Sequence, residues 1–151
     1  MAGDWLVILV AVTASGAALI AGVFFAFSSF VMPALARLAP AKGIAAMQSI
    51  NVVVLRSAFM PVFLGTALLC IAIAVASGGD WMLLPGSLLY LLGCFGVTIA
   101  FNVPLNNRLA RAATDSSEGA ALWAHFLRRW VLWNHVRTLA SLGAAVMFTV
   151  A

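Results

Sequence analysis

Hydrophobic positions fall in four long runs separated by short polar stretches. From Trp5 to Ala36 there is no charged residue, and the runs from Ser57 to Gly79 and from Trp81 to Asn107 are also uncharged. The last run, Trp130 to Ala151, carries only His135 and Arg137 as ionisable groups. About 20 apolar residues suffice for an α-helix to cross the hydrocarbon core of a bilayer. The pattern therefore predicts four membrane-spanning helices, over residues 5–31, 57–77, 82–103 and 130–150. The link from Gly78 to Trp81 is short enough to make the second and third spans a tight antiparallel hairpin. The expected fold is all-α: an integral membrane antiparallel four-helix bundle, residues 1–151 forming one domain.

The polar stretches also read as helical. Pro40 suits a first helical turn, and Ile44, Met47, Asn51, Val54, Leu55 and Ala58 follow at helical spacing. Asp115-Ser116-Ser117-Glu118 reads as a helix start leading toward the fourth span. Helices two to four are thus expected to extend beyond the bilayer on one side, with Pro61 and Pro104 kinking or breaking them. Small residues offer packing seams. They are Ala11, Ser15, Ala18, Gly22, Ala26 and Ser29 in span one, Gly86, Gly93 and Gly96 in span three, and Ser141 and Gly143 to Ala145 in span four.

Composition agrees with a membrane protein. Of 151 residues, 65% are hydrophobic and 8% charged, against about 25% charged in soluble domains. A chain of this size has too little interior to hide so much apolar surface from water. A soluble enzyme, a nucleic-acid-binding domain and a disordered chain are excluded on this ground, and no nucleic-acid partner is expected. The formal charge of +4 reflects eight basic residues, which determine orientation in a membrane protein. Arg37, Lys42 and Arg56 lie between spans one and two. Arg108, Arg111, Arg128 and Arg129 lie between spans three and four, and Arg137 is just inside span four. Asp4 and Asp80 mark the other side. Both termini are expected outside and the two larger loops in the cytoplasm, with Trp5 and Trp81 at the outer interface and Trp123, Trp130 and Trp133 near the inner one. Met1-Ala2-Gly3-Asp4 lacks the basic start of a signal peptide, so the first span is expected to be retained. Cys70 and Cys94 stand singly in apolar runs and read as core residues.

Polar side chains gather at the basic end. They are Gln48, Asn51 and Arg56; Thr98, Asn102, Asn106 and Asn107; and Asn134, His135, Arg137, Thr138 and Ser141. Polar groups at membrane depth are costly and often functional. Three-and-four spacing gives three helices a polar stripe each, and antiparallel packing would bring Asn51, Asn102 and His135 toward one cavity. Structural alternatives stand beside each. Asn102 could satisfy backbone groups freed near Pro104, Arg137 could snorkel to the interface, His135 could simply be hydrogen-bonded in the core, and Gln48 and Asn51 could lie on a solvated face.

Several segments carry a resemblance. Ala21 to Ser28, Val31-Met32-Pro33-Ala34-Leu35, Ala46 to Asn51, Phe101-Asn102-Val103-Pro104-Leu105-Asn106 and Trp130 with Trp133-Asn134-His135-Val136-Arg137-Thr138 resemble the anthrone oxygenase family, in the family's order. The family consists of small four-helix membrane proteins with many bacterial members, and a bacterial inner membrane is the matching expectation. Some fungal members oxidise anthrones to anthraquinones. The resemblance implies an apolar aromatic small-molecule substrate and dioxygen, with no organic cofactor required. On that reading His135 is the base, Asn102, Asn134 and Arg137 are donors to a developing oxyanion, and Phe24, Phe27 and Trp133 line the slot. Gln48, Asn51 and Asn106 join them as substrate-binding residues.

Two other classes remain open. A haem or metal ion could use His135. His125 and His135 lie about 15 Å apart along one helix at 1.5 Å per residue, so both cannot ligate one iron within a subunit, although a homo-oligomer could share a site. A non-catalytic bundle for lipid binding, small-molecule binding or assembly is the third class.

Overall fold

The computed structural model describes residues 4–151 and is built from five helices. Met1–Gly3, on which the expectation of a retained first span rests in part, lies outside the described residues. Helix α1 runs over Asp4–Ala36, α2 over Pro40–Val54, α3 over Phe59–Ala76, α4 over Leu83–Ala110 and α5 over Ser117–Val150. Helices α1, α3 and α4 are each long and apolar enough to cross a membrane. α5 completes the antiparallel bundle and packs most extensively on α1. The expected fourth span, 130–150, falls within α5, which is not among the helices apolar enough to cross a membrane; its polar stripe, Asn134, Arg137, Thr138 and Ser141, lowers its mean hydropathy, and all four are buried.

Each helix end has a local cause. Pro40 opens α2 from the extended Ala39. Ser116 caps α5, its Oγ accepting the Gly119 N–H at 2.9 Å. Gly78 and Gly79 turn the α3–α4 hairpin with φ of 59° and 90°, values that side-chain-bearing residues avoid. The extension before the second span is a separate helix: α2 stops at Val54, and a turn over 55–58 leads into α3. Pro61 falls within the first turn of α3, where its missing N–H would have no intrahelical acceptor, so it causes no kink. Pro104 does not break α4 either. The helix widens to π-helical turns at Leu89–Gly96 and Thr98–Asn102 before it, and α1 widens at Phe27–Val31 before Pro33. A π-turn absorbs a missing backbone partner and rotates the side chains beyond it.

Small-residue packing holds in two places and shifts in a third. A Cβ on Gly93 would stand 2.6 Å from the Ala140 Cβ, and one on Gly86 would stand 3.1 Å from the Phe148 ring, so α4 and α5 touch closely. On α1, however, Ala11, Ser15, Ala18, Gly22 and Ser29 are exposed, while Thr13, Ala17, Ile20, Ala21 and Phe24 are buried. The inward face of α1 is offset from that stripe and mixes small residues with Ile20 and Phe24; Gly16 abuts the Thr66 side chain of α3.

Two apolar clusters stack along the bundle. One, around Ile20, Phe63, Cys70, Tyr90 and Phe148, fills the half away from the basic end. The other, around Met32, Met47, Leu109, Trp123, Phe126 and Trp130, joins α2 to the basic ends of α1, α4 and α5. Trp123 and Trp130 are therefore core residues rather than interfacial anchors, whereas Trp5 and Trp81 are exposed.

Candidate functional site

Between the two clusters lies a pocket of about 330 Å³, within the range of small-molecule sites. Its walls are aromatic and aliphatic: Phe24 and Phe27 from α1, Met47 and Ile50 from α2, Phe59 and Phe63 from α3, Phe95 from α4 and Trp130 from α5. The rings form a connected lattice. Phe59 and Phe63 stack with centroids 5.6 Å apart, and Phe63 stacks on Phe95 at 5.4 Å. Its polar lining is small, consisting of Asn51, Thr98, Asn106 and Arg137. Leu55, Leu64, Ile99 and Val103 also line it and are exposed, so the opening faces outward between α3 and α4.

Arg137 is the chemical centre of this pocket. It is 4% exposed and lies roughly 20 Å along α5 from Val150. One guanidinium nitrogen, Nη2, donates to Asn134 Oδ1 at 2.6 Å, and Nη1 donates to Thr98 Oγ1 at 3.3 Å. The guanidinium carbon sits 4.1 Å over the Phe24 ring and 5.1 Å from the Trp130 ring. Among the described residues no carboxylate lines the pocket. Asp4 and Asp80 belong to the opposite end, and Glu118 is 19 residues back along α5, roughly 28 Å away. A buried ion costs several kcal/mol to desolvate. Two charge-assisted hydrogen bonds, each contributing about 1.5–3 kcal/mol, and two ring faces offset that cost without neutralising the charge. The cation is thus held in place and left positive.

Asn134 does the holding. Its Nδ2 donates to the Phe24 carbonyl at 2.7 Å and to Ser28 Oγ at 2.6 Å, leaving Oδ1 for Arg137. The chain Ser28–Asn134–Arg137–Thr98 links α1, α5 and α4 at the π-turns of α1 and α4. Two buried donors keep no partner: Arg137 Nε and Asn51 Nδ2, both on pocket residues. Buried polar groups are nearly always satisfied, so such orphans call for an explanation.

The other expected residues are placed as follows. Phe24, Phe27, Asn51 and Asn106 line the pocket, and Asn106 Oδ1 accepts the Trp130 indole N–H at 2.9 Å. Asn102 is fully buried behind the pocket, where its Nδ2 donates to the Trp130 carbonyl at 3.2 Å. That bond ties α4 to α5 instead of repairing its own helix near Pro104. Gln48 reaches the other way, donating to the carbonyls of Leu109 and Ala112 at 2.9 and 3.3 Å and fixing α2 to the end of α4. Trp133 stacks on Phe101 at 3.7 Å in a separate groove. His135 is exposed on the outer face of α5 and does not line the pocket. It lies two positions before Arg137, a rotation of about 200° at 3.6 residues per turn. Among the described residues no three His, Cys, Asp or Glu side chains come together as a metal-ligand set.

Trp130, Thr98 and Ser28 complete the site. Trp130 is seven residues before Arg137 and so shares its helix face, a signal that the spacing carried. Ser28 reaches the site through the π-turn at Phe27–Val31, and no periodicity argument reveals that.

A model of the anthrone oxygenase family matches residues 51–147. That stretch takes in Asn51, Thr98, Asn106, Trp130, Asn134 and Arg137. No curated protein and no solved structure matches the chain.

Proposed function

The chain belongs to the anthrone oxygenase family, and on that premise we propose that it is a membrane oxygenase that binds an anthrone-like or phenolic aromatic substrate as its anion, with Arg137 holding the charge. The observation that carries this reading is the pair of orphaned buried donors, one of them cationic, in a pocket otherwise walled by aromatic and aliphatic side chains. A flat aromatic body fits the ring lattice. An enolate or phenolate oxygen would sit beside the Arg137 guanidinium, with Asn51 also lining the pocket.

The chemistry follows from that charge. The central methylene of an anthrone is acidic because its carbanion delocalises into two rings and a carbonyl. Arg137 favours the ionised form by stabilising the enolate oxygen, as preorganised donors do in a low-dielectric site. Among the pocket-lining residues it is the sole ionisable side chain, so the methylene proton leaves to water as the anion forms. The electron-rich carbon then adds dioxygen, forming a C–O bond. Protonation gives a hydroperoxide. Loss of the remaining hydrogen on that carbon, with cleavage of the O–O bond, gives the new carbonyl and one water. One oxygen atom enters the product and the other leaves as water, so dioxygen is the only oxidant needed. The opening between α3 and α4 lets an apolar substrate arrive from the hydrocarbon of the bilayer.

The test is oxygen consumption and quinone formation by membranes containing the protein, with an anthrone as substrate. Arg137→Gln should lower turnover by about 10²–10³-fold, the usual cost of removing one oxyanion donor. His135→Ala should stay within about twofold of the parent. Full activity in Arg137→Gln, or its loss in His135→Ala alone, would return the centre to His135.

A further inference from the structure

A second groove lies on the outside of the bundle, where α4 and α5 pass at the basic end. Its floor is the Phe101–Trp133 stack, with rings 9° from parallel, together with Ala100, Pro104 and Leu105. Its rim is basic. Arg108 comes from the last turn of α4, and His125 and Arg129 come from α5. His125, Arg129 and Trp133 are spaced by four, so they occupy one face of α5. Phe101, Leu105 and Arg108 do the same on α4. The groove holds about 440 Å³.

Three features point to one class of ligand. Among the described residues, none of the three basic side chains makes a hydrogen bond or ion pair, although each stands at the groove. The acidic residues nearest in sequence, Asp115 and Glu118, do not line it, and Glu118 accepts from Ser117 instead. Apolar floor meets cationic rim at the point where the uncharged run of α4 ends and its first arginine appears, which is the polar–apolar boundary of a membrane. A monoanionic phosphate with acyl chains attached matches all three. The phosphate meets Arg108, His125 and Arg129, and the chains lie over Phe101 and Trp133. Basic pockets between membrane helices bind anionic headgroups by this chemistry. We propose that this groove is a binding site for the phosphate group of an anionic phospholipid, separate from the oxygenase pocket and independent of that reading.

The full chain in lipid nanodiscs tests it, with phosphatidylglycerol exchanged against phosphatidylcholine and bound lipid counted after detergent extraction by intact-complex mass spectrometry. One phosphatidylglycerol should be retained per chain. Arg108→Gln and Arg129→Gln should each weaken retention about fivefold, in line with the contribution of one basic side chain at an anionic surface. Arg37→Gln, exposed at the same end but outside the groove, should leave it unchanged. Arg129→Lys should restore most of the retention lost in Arg129→Gln, which separates a charge effect from misfolding. Equal retention of phosphatidylcholine, an equal loss in Arg37→Gln, or displacement of the lipid by millimolar inorganic phosphate would each overturn the assignment.

Discussion

Arg137 and His135 lie two residues apart and face opposite ways, and that geometry separates two accounts of the site. The stripe Asn134, Arg137, Thr138, Ser141 follows three-and-four spacing and is buried throughout. His135 sits off that stripe, in line with the exposed Leu132, Leu139, Leu142 and Val146. The face of each residue was legible from spacing. What suggested His135 was its chemistry, since a histidine in an apolar run resembles a base. The Asn134 clamp was less legible, because its partners Phe24 and Ser28 lie more than a hundred residues earlier in the chain. It yields a prediction of its own. Asn134→Leu keeps the branched shape, in a larger side chain, but removes the acceptor for Arg137 Nη2 and the donor to the Phe24 carbonyl. A buried group left without its partner costs about 1–3 kcal/mol, so thermal unfolding in detergent should shift down by that equivalent. Turnover should fall further than stability accounts for, chiefly in kcat, because the guanidinium loses its aim. Asn134→Asp should retain the acceptor and recover part of the activity. If Asn134→Leu proved as active as the parent, Arg137 would not depend on this clamp.

At the scale of helices, the apolar runs locate α1, α3 and α4, Gly78 and Gly79 mark the turn between α3 and α4, and Pro40 marks the start of α2, whereas Pro61 and Pro104 do not break their helices. The α3–α4 hairpin and the Ser116 cap needed only local chemistry, which sequence carries in full. The π-turns were not legible, because a widened turn reflects how a helix accommodates its neighbours as much as its own residues. The inward face of α1 was misplaced for a related reason. Small residues mark a seam only when a partner helix lies over them, and on α1 the partner lies over Thr13, Ala17 and Phe24. Where the partner does lie over them, the contact can be tested. Gly93→Val would drive two methyl groups into Ala140, whose Cβ already sits 2.6 Å from a built Cβ position. Overpacking costs about 1–3 kcal/mol, so unfolding should move down accordingly. Gly22→Val, with nothing within 4 Å of a built Cβ, should be tolerated. A similar loss in both would mean that helix propensity, rather than the α4–α5 contact, dominates.

Over the whole molecule, charge is the most asymmetric property. Basic residues fall at the end that carries α2 and the α4–α5 link, together with Asp115 and Glu118, while Asp4 and Asp80 mark the opposite end. The aromatic-walled pocket lies toward the basic end, between the two apolar clusters, so the orientation of the chain decides toward which leaflet it opens. The positive-inside rule sets the expectation that the basic end is cytoplasmic. Both native cysteines are fully buried, so single introduced cysteines report without background. Asp80→Cys stands in the exposed hairpin and should react with a membrane-impermeant maleimide in intact cells. Arg111→Cys, exposed just past α4, should react only after the membrane is opened. The reverse pattern would invert the protein, placing the basic end and the nearby pocket toward the outer leaflet. Labelling of both sites in intact cells would mean that the chain inserts in two orientations. Substituting Asp80 with Lys should then shift the balance measurably, because one added basic residue on the short hairpin acts directly on the charge difference that sets topology.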